Sequence, residues 1–403
     1  MSATPEAHPD PARAPIPDAI ALAHSERLRQ HIQAQILGAG GAIPFSRFME
    51  LCLYAPGLGY YSAGATKFGA AGDFVTAPEL GPLFAACVAD SVAPLLQQLG
   101  PGADFLELGG GSGAFAEVAL KKLLAADALP ARYAILEPSA DLRQRQQERL
   151  RERLPLLYDL VEWLDAPPSH DWNGVLFANE VIDALPTPRF TLREGEVFEE
   201  HVALDAEGHF VRTDRPADAL LAAAVRHVER QRDGAFPDGY RSELLPQLPY
   251  WVQAVMGGLR KGAMLFVDYG YPRAEYYSHQ RHDGTLRAFI RHRMTDDVYA
   301  LPGLQDITAS VDFTALAEAG TGAGFDLAGY CSQASFLIGN GLETNLAAAE
   351  ARAHDEAQRY RLRQEAKRLT LPGEMGERFQ VMGFQRDVEF GAAFLHGDLS
   401  WRL

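Results

Sequence analysis

A glycine-rich turn between an apolar strand and a helix constrains the fold of this chain more than any other segment. Residues 104–118 read DFLELGGGSGAFAEV, in which apolar strand formers precede three alternating glycines. Gly109, Gly111 and Gly113 can adopt positive φ and let the backbone come close to a ligand. Because residues 114–124 have helix-forming composition, the free N–H groups of the loop and of the helix start should point into a ligand crevice. This arrangement is typical of α/β proteins that hold a nucleotide-like ligand.

The acid that ends this strand bears on which ligand the loop holds. Gly111, Gly113 and Ala116 also match the G-x-G-x-x-A dinucleotide fingerprint, in which helix-end N–H groups hold a pyrophosphate. Glu107 opposes that interpretation, since its carboxylate would repel pyrophosphate but suits a cationic amino-acid moiety, such as the ammonium and sulfonium groups of S-adenosylmethionine (SAM). Alternatively, Glu107 is a solvated strand-end acid. The loop alone therefore leaves SAM and NAD both open.

Two further strand ends are expected beside the glycine loop. Glu137 closes the apolar strand RYAILEP at residues 132–138, about two dozen residues after the loop, where an acid is well placed to accept both ribose hydroxyls. A third strand should end near residues 163–165, which would place Asp165 where adenine would lie; an ordinary loop is the alternative. Neither acid separates NAD from SAM.

A third signal lies in GVLFANEVIDALPTPRF, residues 174–190. Its apolar run predicts a strand with Asn179 and Glu180 at its carboxyl end, and open α/β sheets bind ligands at the carboxyl ends of their strands. Asp183 follows one helical turn later. Amide and carboxylate groups there can orient a substrate nitrogen, take its proton or stabilise a cationic group. The alternative is that Asn179 caps a helix and Glu180 is a first-turn acid.

Other candidate site residues come from two segments further out. Asp268 ends the strand LFVDYG and should face the same crevice, although a strand-end Asp also caps turns. In GDFVTAPELGPLFA, residues 72–85, Thr76 is placed to cap a helix that opens at Pro78 with Glu79 in its first turn. The same segment therefore has a structural interpretation as well as a functional one.

Composition excludes several classes of function. The net charge of -16 disfavours non-specific binding to nucleic acid or anionic membrane and favours a basic protein segment as partner. No apolar stretch is long enough to span a bilayer. Cys52, Cys87 and Cys331 are too widely spaced for a disulfide framework or a C-x-x-C zinc site, so no metal is expected and buried reduced thiols are predicted. The leader is neither Arg-rich and acid-poor nor apolar, which predicts a cytoplasmic, bacterial-type location.

The pattern along the chain predicts five regions. They are a disordered leader at 1–20, a helical region at 21–100 with a glycine-rich lid loop, a Rossmann-like core at 101–270 with an excursion at 190–240, a substrate-side insertion at 271–312, and a C-terminal completion of the core at 313–403. The excursion should begin in a hairpin centred on Glu194 and Gly195. The C-terminal region should contain strands in FDLAGYCSQASFLIGNG and ERFQVMGFQRD with one long helix, roughly 343–369, between them.

Seven segments of the sequence, and the order in which they occur, resemble the MidA family. They are the glycine loop, YAILEPSADLRQRQ, LFANEVIDALP, GDFVTAPELGPLFA, LFVDYG, DGTLRAF and PGLQDITASVDFTALAEAG, spread from about residue 46 to about residue 386. Members are class I SAM-dependent methyltransferases, and the mitochondrial ones methylate a protein arginine during respiratory complex I assembly. The resemblance implies a class I methyltransferase fold, SAM as cofactor, and a protein substrate such as a respiratory complex subunit.

Position and resemblance together assign roles to the candidate residues. The cofactor end should comprise the three loop glycines, Glu107, Glu137 and Asp165, and the resemblance adds Thr76 or Glu79. Direct in-line methyl transfer to a guanidinium would use Glu180 first, with Asp183 and Asp268 behind it and Asn179 orienting.

One departure from the family pattern affects the glycine loop. The family usually carries a proline after the first loop glycine, whereas this chain has Gly110, which removes a φ restraint and should loosen the loop. The alternative function is therefore a SAM-binding assembly factor or chaperone-like protein with little catalysis. An NAD-linked oxidoreductase is the third interpretation, and Glu107 opposes it.

Overall fold

The structure is a computed structural model that describes residues 17–62, 76–232, 234–290, 293–295 and 297–403. The predicted leader lies outside the described residues as far as residue 16. Its last two positions already belong to a helix that begins at Ala19, because the Asp18 side chain accepts the Ala21 N–H at 2.8 Å and caps it. The predicted lid loop lies outside the described residues from residue 63 onwards.

Helices and strands alternate through the middle of the described chain. The helices are α1 (Ala19–Gly38), α2 (Phe45–Tyr54), α3 (Ala77–Leu80), α4 (Leu83–Leu99), α5 (Ala114–Ala125), α6 (Ala140–Arg153), α7 (Ala219–Gln231), α8 (Leu248–Met256), α9 (Arg273–Tyr276), α10 (Phe313–Gly322), α11 (Gln333–Gly339), α12 (Leu342–Ala351), α13 (Glu356–Thr370) and α14 (Met375–Arg378). Across these described ranges, no helix has the length and apolar character that a membrane crossing requires.

The strands of the described residues form three sheets. They are β1 (Ala42–Pro44), β2 (Asp104–Leu108), β3 (Arg132–Leu136), β4 (Val161–Leu164), β5 (Asp171–Asn179), β6 (Arg189–Arg193), β7 (Glu196–Leu204), β8 (Phe210–Pro216), β9 (Arg241–Glu243), β10 (Gly258–Tyr271), β11 (Arg287–Ile290), β12 (Arg293–Thr295), β13 (Asp306–Thr308), β14 (Val311–Asp312), β15 (Asp326–Ser332) and β16 (Phe379–Arg386). The third predicted strand end, near residue 164, is confirmed by β4.

The central sheet has the strand order β4-β3-β2-β5-β10-β16-β15, and β14 pairs with β10. The first five strands of this order are parallel, and β16 runs antiparallel to both of its neighbours. The register pairs Leu108 with Leu136 on one side and with Ala178 on the other. The glycine loop, Glu137 and Asn179 therefore lie next to one another at the carboxyl ends of these parallel strands. The predicted α/β class with a Rossmann-like parallel sheet is confirmed.

Alternate side chains of the central strands enter two hydrophobic layers. Phe105 and Phe177 belong to the layer under α4 and α5, where Phe115 stacks on Phe177 with ring centroids 4.2 Å apart. Leu106 and Leu176 point to the opposite layer under α8 and α10. Because helices cover both faces, the strands are almost continuously apolar, as parallel sheets require.

The excursion forms a second, antiparallel sheet of order β1-β7-β6-β9, with β8 paired to β7. The predicted hairpin is confirmed, since β6 and β7 meet at Glu194 and Gly195 with φ of 51° and 79°, the left-handed pair typical of a tight hairpin turn. The sheet also takes up β1 from the N-terminal region, a pairing that the sequence did not predict. Arg189 holds this sheet together from inside, with Glu200 at 3.0 Å and Glu243 at 2.9 Å.

The C-terminal region differs from the prediction in two places. The single helix predicted for 343–369 is two helices, α12 and α13, because Asp355 accepts the Gln358 N–H at 2.6 Å and starts a new helix. In FDLAGYCSQASFLIGNG only β15 is a strand, and Ser332 caps α11 directly after it by accepting the Ser335 N–H at 3.2 Å. The last predicted strand is confirmed as β16.

Candidate active site

A cavity of about 580 Å³ opens at the carboxyl ends of β2, β3, β5 and β10, within the size range of small-molecule sites. Its described lining contains no Lys, Arg or His. The carboxylates that line it are Glu50, Glu79, Glu107, Glu137, Asp165, Glu180, Asp183 and Asp306. A cavity with this charge favours a cationic ligand.

The glycine loop forms one wall of the cavity. Gly109, Gly111 and Gly113 have φ of 66°, 53° and 80°, which an L side chain adopts only with strain. The Gly109 N–H bonds the Leu136 carbonyl at 3.0 Å, and α5 begins directly after Gly113. The predicted backbone conformation of the loop is therefore present.

Glu107 and Glu137 stand at the two strand ends beside this loop. Glu107 accepts the Tyr133 hydroxyl at 2.7 Å, and burial raises its pKa to about 8. Glu137 accepts the Ser139 N–H at 2.9 Å, and burial raises its pKa to about 7. Each carboxylate keeps free lone pairs, so a bound cation or hydroxyl would favour its ionised form.

Gln146 holds these parts together and was missed from the sequence. Its amide donates to the Gly111 carbonyl at 2.9 Å and to Glu137 Oε2 at 3.1 Å, and its oxygen accepts the Trp163 indole N–H at 2.9 Å. The side chain is fully buried. Because α6 is rich in charged residues, its composition predicts a solvated face. The signal that could have found Gln146 is its spacing, four residues after Leu142 and four before Leu150, the other buried residues of the helix.

Asp165 lies at the rim of the cavity. Its carboxylate accepts from Arg143 at 2.7 Å, and its side chain is 91% exposed. Arg143 also donates to the Leu164 carbonyl at 2.9 Å and to the Glu137 carbonyl at 3.2 Å. Asp165 and Arg143 together thus tie the ends of β3 and β4.

Helix α3 crosses the cavity between the two halves of the site. The Ala77 N–H lies near the Glu180 carboxylate. Two residues later Glu79 accepts the Ser112 hydroxyl of the glycine loop. Thr76 lines the cavity and occupies the N-cap position of α3, with Glu79 in the first turn as predicted, but its side chain makes no capping hydrogen bond.

The loop after β5 carries the candidate catalytic residues. Glu180 has φ of 53°, uncommon for a non-glycine residue, and its N–H bonds the Val267 carbonyl at 2.9 Å. The Asn179 amide donates to Glu180 Oε1 at 3.0 Å, while Asn179 Oδ1 is buried and accepts no hydrogen bond from the described residues. Burial, with Asp183 nearby, raises the pKa of Glu180 well above its ordinary value.

Asp183 follows on the same loop. Its Oδ2 accepts the Tyr269 hydroxyl at 2.7 Å. Backbone N–H groups of Asp183 and Ala184 lie near the carboxylate, but no described donor reaches the buried Oδ1 with hydrogen-bond geometry. Burial raises the pKa of Asp183 to about 6.

Asp268 is not among the lining residues, contrary to the expectation that it faces the crevice. Its Oδ2 accepts the N–H groups of Ile182 at 3.0 Å and Asp183 at 3.3 Å, and its Oδ1 accepts the Tyr269 N–H at 2.9 Å. It is 1% exposed, and burial raises its pKa. Asp268 therefore lies beneath the site and holds the loop after β5 in place.

The far end of the cavity uses residues that the sequence did not single out. Tyr54 and Tyr61 stack with ring centroids 5.5 Å apart, and their hydroxyls donate to the Ala184 carbonyl and to Asp306 Oδ1, each at 2.9 Å. Phe289 and Asp306, from the segment predicted as a substrate-side insertion, also line the cavity. Only the prediction of that insertion pointed towards this wall.

Possible metal ligands lie away from this cavity. Asp205, Glu207 and His209 bring ligand atoms within 4.8 Å of one another at the turn between β7 and β8. Asp205 already accepts the His209 N–H at 2.8 Å and the Glu207 N–H at 3.0 Å, as in an ordinary acidic turn. All three cysteines are buried as free thiols, and burial raises their pKa values, to about 12 for Cys87 and Cys331.

The chain is similar in sequence to known methyltransferases. Residues 87–331 match a family model described as "Putative S-adenosyl-L-methionine-dependent methyltransferase". The zebrafish (Danio rerio) protein arginine methyltransferase NDUFAF7, mitochondrial, is 28% identical over 88% of this chain and 86% of its own. The human (Homo sapiens) protein of that name is 26% identical over 87% of this chain and 81% of its own.

A solved structure matches more closely. A protein from Burkholderia thailandensis, crystallised with S-adenosyl-homocysteine, superposes with a TM-score of 0.89 at 43% identity and covers 97% of this chain and 100% of its own. The fold is thus that of class I SAM-dependent methyltransferases, which excludes the NAD interpretation of the glycine loop. The family match spans more than half of the chain, and the protein belongs to the MidA family of SAM-dependent methyltransferases.

Proposed function

We propose that the protein methylates an arginine side chain of a partner protein. The observation that carries the proposal is the pair of buried acceptor oxygens, Asn179 Oδ1 and Asp183 Oδ1, with no described donor. They line a cavity whose described walls hold eight carboxylates and no cationic side chain. Buried acceptors demand N–H or O–H donors, and a guanidinium brings five N–H groups together with a positive charge.

The residues of the cofactor end fit SAM. Glu107 is a buried carboxylate beside the glycine loop that suits a cationic amino-acid group, and Glu137 ends the next strand with an acceptor oxygen for ribose hydroxyls. Gly111 leaves room for close approach, since a Cβ on it would meet nothing within 4 Å. Thr76, Glu79 and Asp165 complete this end as proposed contacts.

Two acids of the loop after β5 would hold the guanidinium. Glu180 and Asp183 can localise positive charge on one nitrogen, and Asn179 Oδ1 can orient a second N–H. Bound SAM supplies an electrophilic methyl group. The bond from the acceptor nitrogen to the methyl carbon would form as the carbon–sulfur bond of SAM breaks, and SAH would leave. The nitrogen would also lose a proton, and a carboxylate whose pKa burial has raised is matched to accept it near neutral pH.

The two tyrosines at the far end would flank the incoming side chain. Tyr54 and Tyr61 present stacked rings, and a guanidinium packs favourably on aromatic faces. Curated relatives named protein arginine methyltransferase support arginine as the acceptor. The family resemblance makes a respiratory complex subunit the first partner to test.

The experiment compares wild type with Glu180→Gln. SAM labelled in its methyl group is incubated with purified protein and a lysate from cells that lack it, and labelled bands are identified by mass spectrometry. We expect one labelled partner, modified at arginine, with wild type. Glu180→Gln should label nothing while it binds S-adenosylhomocysteine (SAH) within about twofold of wild type, because Glu180 lies at the acceptor end.

A control variant separates the loss of Glu180 from a general effect of removing an acid. Glu148→Gln, an exposed acid on α6, is the control and should label at the wild-type rate. Equal labelling by Glu180→Gln would overturn its role. Methylation of a residue other than arginine would overturn the acceptor, and SAH binding without any label would favour the assembly-factor alternative.

A further inference from the structure

Segment 76–83, which contains α3, bridges the two halves of the cavity. Its Ala77 N–H lies near the Glu180 carboxylate on the proposed acceptor side, and Glu79 accepts the Ser112 hydroxyl on the glycine-loop side. Thr76, Pro78 and Glu79 all line the cavity. The helix has only four residues, so its own hydrogen bonds cannot hold it in this position.

A carboxylate from the distant helix α13 fixes the other end of this segment. Glu365 Oε1 accepts the Leu83 N–H at 2.6 Å, across 282 residues of sequence. Glu365 is 3% exposed and does not line the cavity. Gly81 lies so close that a Cβ at this position would be 2.0 Å from Glu365 Oε2, so only glycine permits this approach.

The Glu365 carboxylate provides the hydrogen-bond acceptor that the N-terminus of α4 otherwise lacks. Its N-cap is Pro82, which makes no side-chain hydrogen bond, so the first-turn N–H groups need an acceptor from elsewhere. A carboxylate at a helix N-terminus also interacts favourably with the helix dipole. Burying this carboxylate is costly, and burial raises its pKa to about 7. A surface residue could have capped α4 at lower cost.

We propose that Glu365 is a positioning residue for SAM binding. By fixing Gly81 and the start of α4, it holds segment 76–83 so that Glu79 meets the glycine loop and Ala77 meets Glu180. The ligand then meets a preformed wall and spends less of its binding energy on ordering that wall. The inference rests on the proposed function in one respect, that this cavity binds SAM.

The test uses Glu365→Met, which removes the acceptor at similar size, and Glu365→Gln, which keeps one acceptor oxygen. Asn345→Leu is the matched control, because Asn345 is equally buried and ties α12 to Asp90 of α4 at 2.8 Å, away from the start of α4. SAH affinity is measured by calorimetry. Amide hydrogen exchange is followed in segment 76–83, and unfolding temperatures are recorded.

We expect Glu365→Met to lose about tenfold in SAH affinity and to exchange the Ala77 and Leu83 amides faster. Glu365→Gln and Asn345→Leu should stay within about twofold of wild type in affinity. Gly81→Ala keeps Glu365 but displaces its carboxylate, so it should lose as much SAH affinity as Glu365→Met. If Glu365→Met does not fold, Gly81→Ala tests the inference in its place.

Two results would overturn the inference. One is wild-type affinity and exchange in Glu365→Met or Gly81→Ala. The other is an equal loss in Asn345→Leu, which would reduce Glu365 to general packing of the α12–α13 layer. If wild type binds no SAH, the proposed cofactor end fails instead, and the exchange measurement still reports on the positioning of the segment.

Discussion

Tyr269 donates its hydroxyl to Asp183 Oδ2 at 2.7 Å, and this bond fixes which oxygen of Asp183 faces the cavity without a donor. The two residues come from β10 and from the loop after β5, 86 residues apart in sequence. Asp268 sits beneath them and accepts a backbone N–H from each. The proposed acceptor end is thus assembled by hydrogen bonds between neighbouring strand ends.

Tyr269→Phe should slow methyl transfer about tenfold at pH 7 and leave SAH affinity nearly unchanged. The hydroxyl stabilises ionised Asp183, so its loss raises the pKa of Asp183 above about 6 and shifts the acidic limb of the pH–rate profile to higher pH. The shift is measured from initial rates of labelling by wild type and Tyr269→Phe at about six pH values between about 5.5 and 8.5. Tyr277→Phe, a buried tyrosine bonded to the Glu243 carbonyl, is the control. An unshifted profile would contradict the proposed role of Asp183.

Binding of SAM below pH 8 should release protons. Burial raises the pKa of Glu107 to about 8 and that of Glu137 to about 7, and a cation or a hydroxyl donor favours the ionised forms, so affinity should increase as pH increases through this range. Calorimetry in two buffers of different ionisation enthalpy measures the release. Glu107→Gln should release fewer protons and bind more weakly; identical release in both proteins would contradict the assignment.

The same two carboxylates should make the ligand-free protein less stable at high pH. Their folded pKa values lie above the unfolded ones, so the unfolded state binds fewer protons and the free energy of unfolding decreases as pH rises from about 4.5 to about 8. Thermal unfolding of wild type and Glu107→Gln measures the difference. A steeper decrease in the Gln variant would contradict the sign.

Gln146→Leu should weaken SAH binding about tenfold, because it removes the bonds that join the glycine loop, Glu137 and Trp163. Gln144→Leu changes the same residue type on the same helix at an exposed position and should bind as wild type does. Calorimetry gives the affinities, and Trp163 fluorescence reports the local change. Equal affinities in the two variants would show that the buried amide does not order the site.

Gly110→Ala should lower the free energy of unfolding by about 1 to 3 kcal/mol. A Cβ at this buried position would lie 2.9 Å from Ile135 Cγ2 and 3.0 Å from Gln146 Nε2, so the loop has no room for it. Gly102→Ala is the control, since a Cβ there meets nothing within 4 Å. Denaturant titration measures both. Stabilisation by Gly110→Ala would instead support the expectation that glycine loosens the loop.

Most of the residues expected at the cofactor end line the cavity, because strand-end acids and loop glycines lie close to where they stand in the chain; Gly113 is the exception. Asp268 was placed wrongly, since the same strand-end pattern fits an acid that faces a crevice and one that caps a turn beneath it. Only the register of β10 against β5 decides between them.

The sequence by itself determined the α/β class, the glycine loop, the order of the core strands' acids and, through its resemblance, the family. These features depend on local backbone preference and on apolar periodicity, which neighbouring residues set. Tertiary structure alone decided that Gln146 bonds the glycine loop, that Tyr54 and Tyr61 line the proposed acceptor end, and that Glu365 reaches the start of α4. Those contacts join residues far apart in the chain, and their energy comes from burial and hydrogen bonds that exist only once the layers have packed.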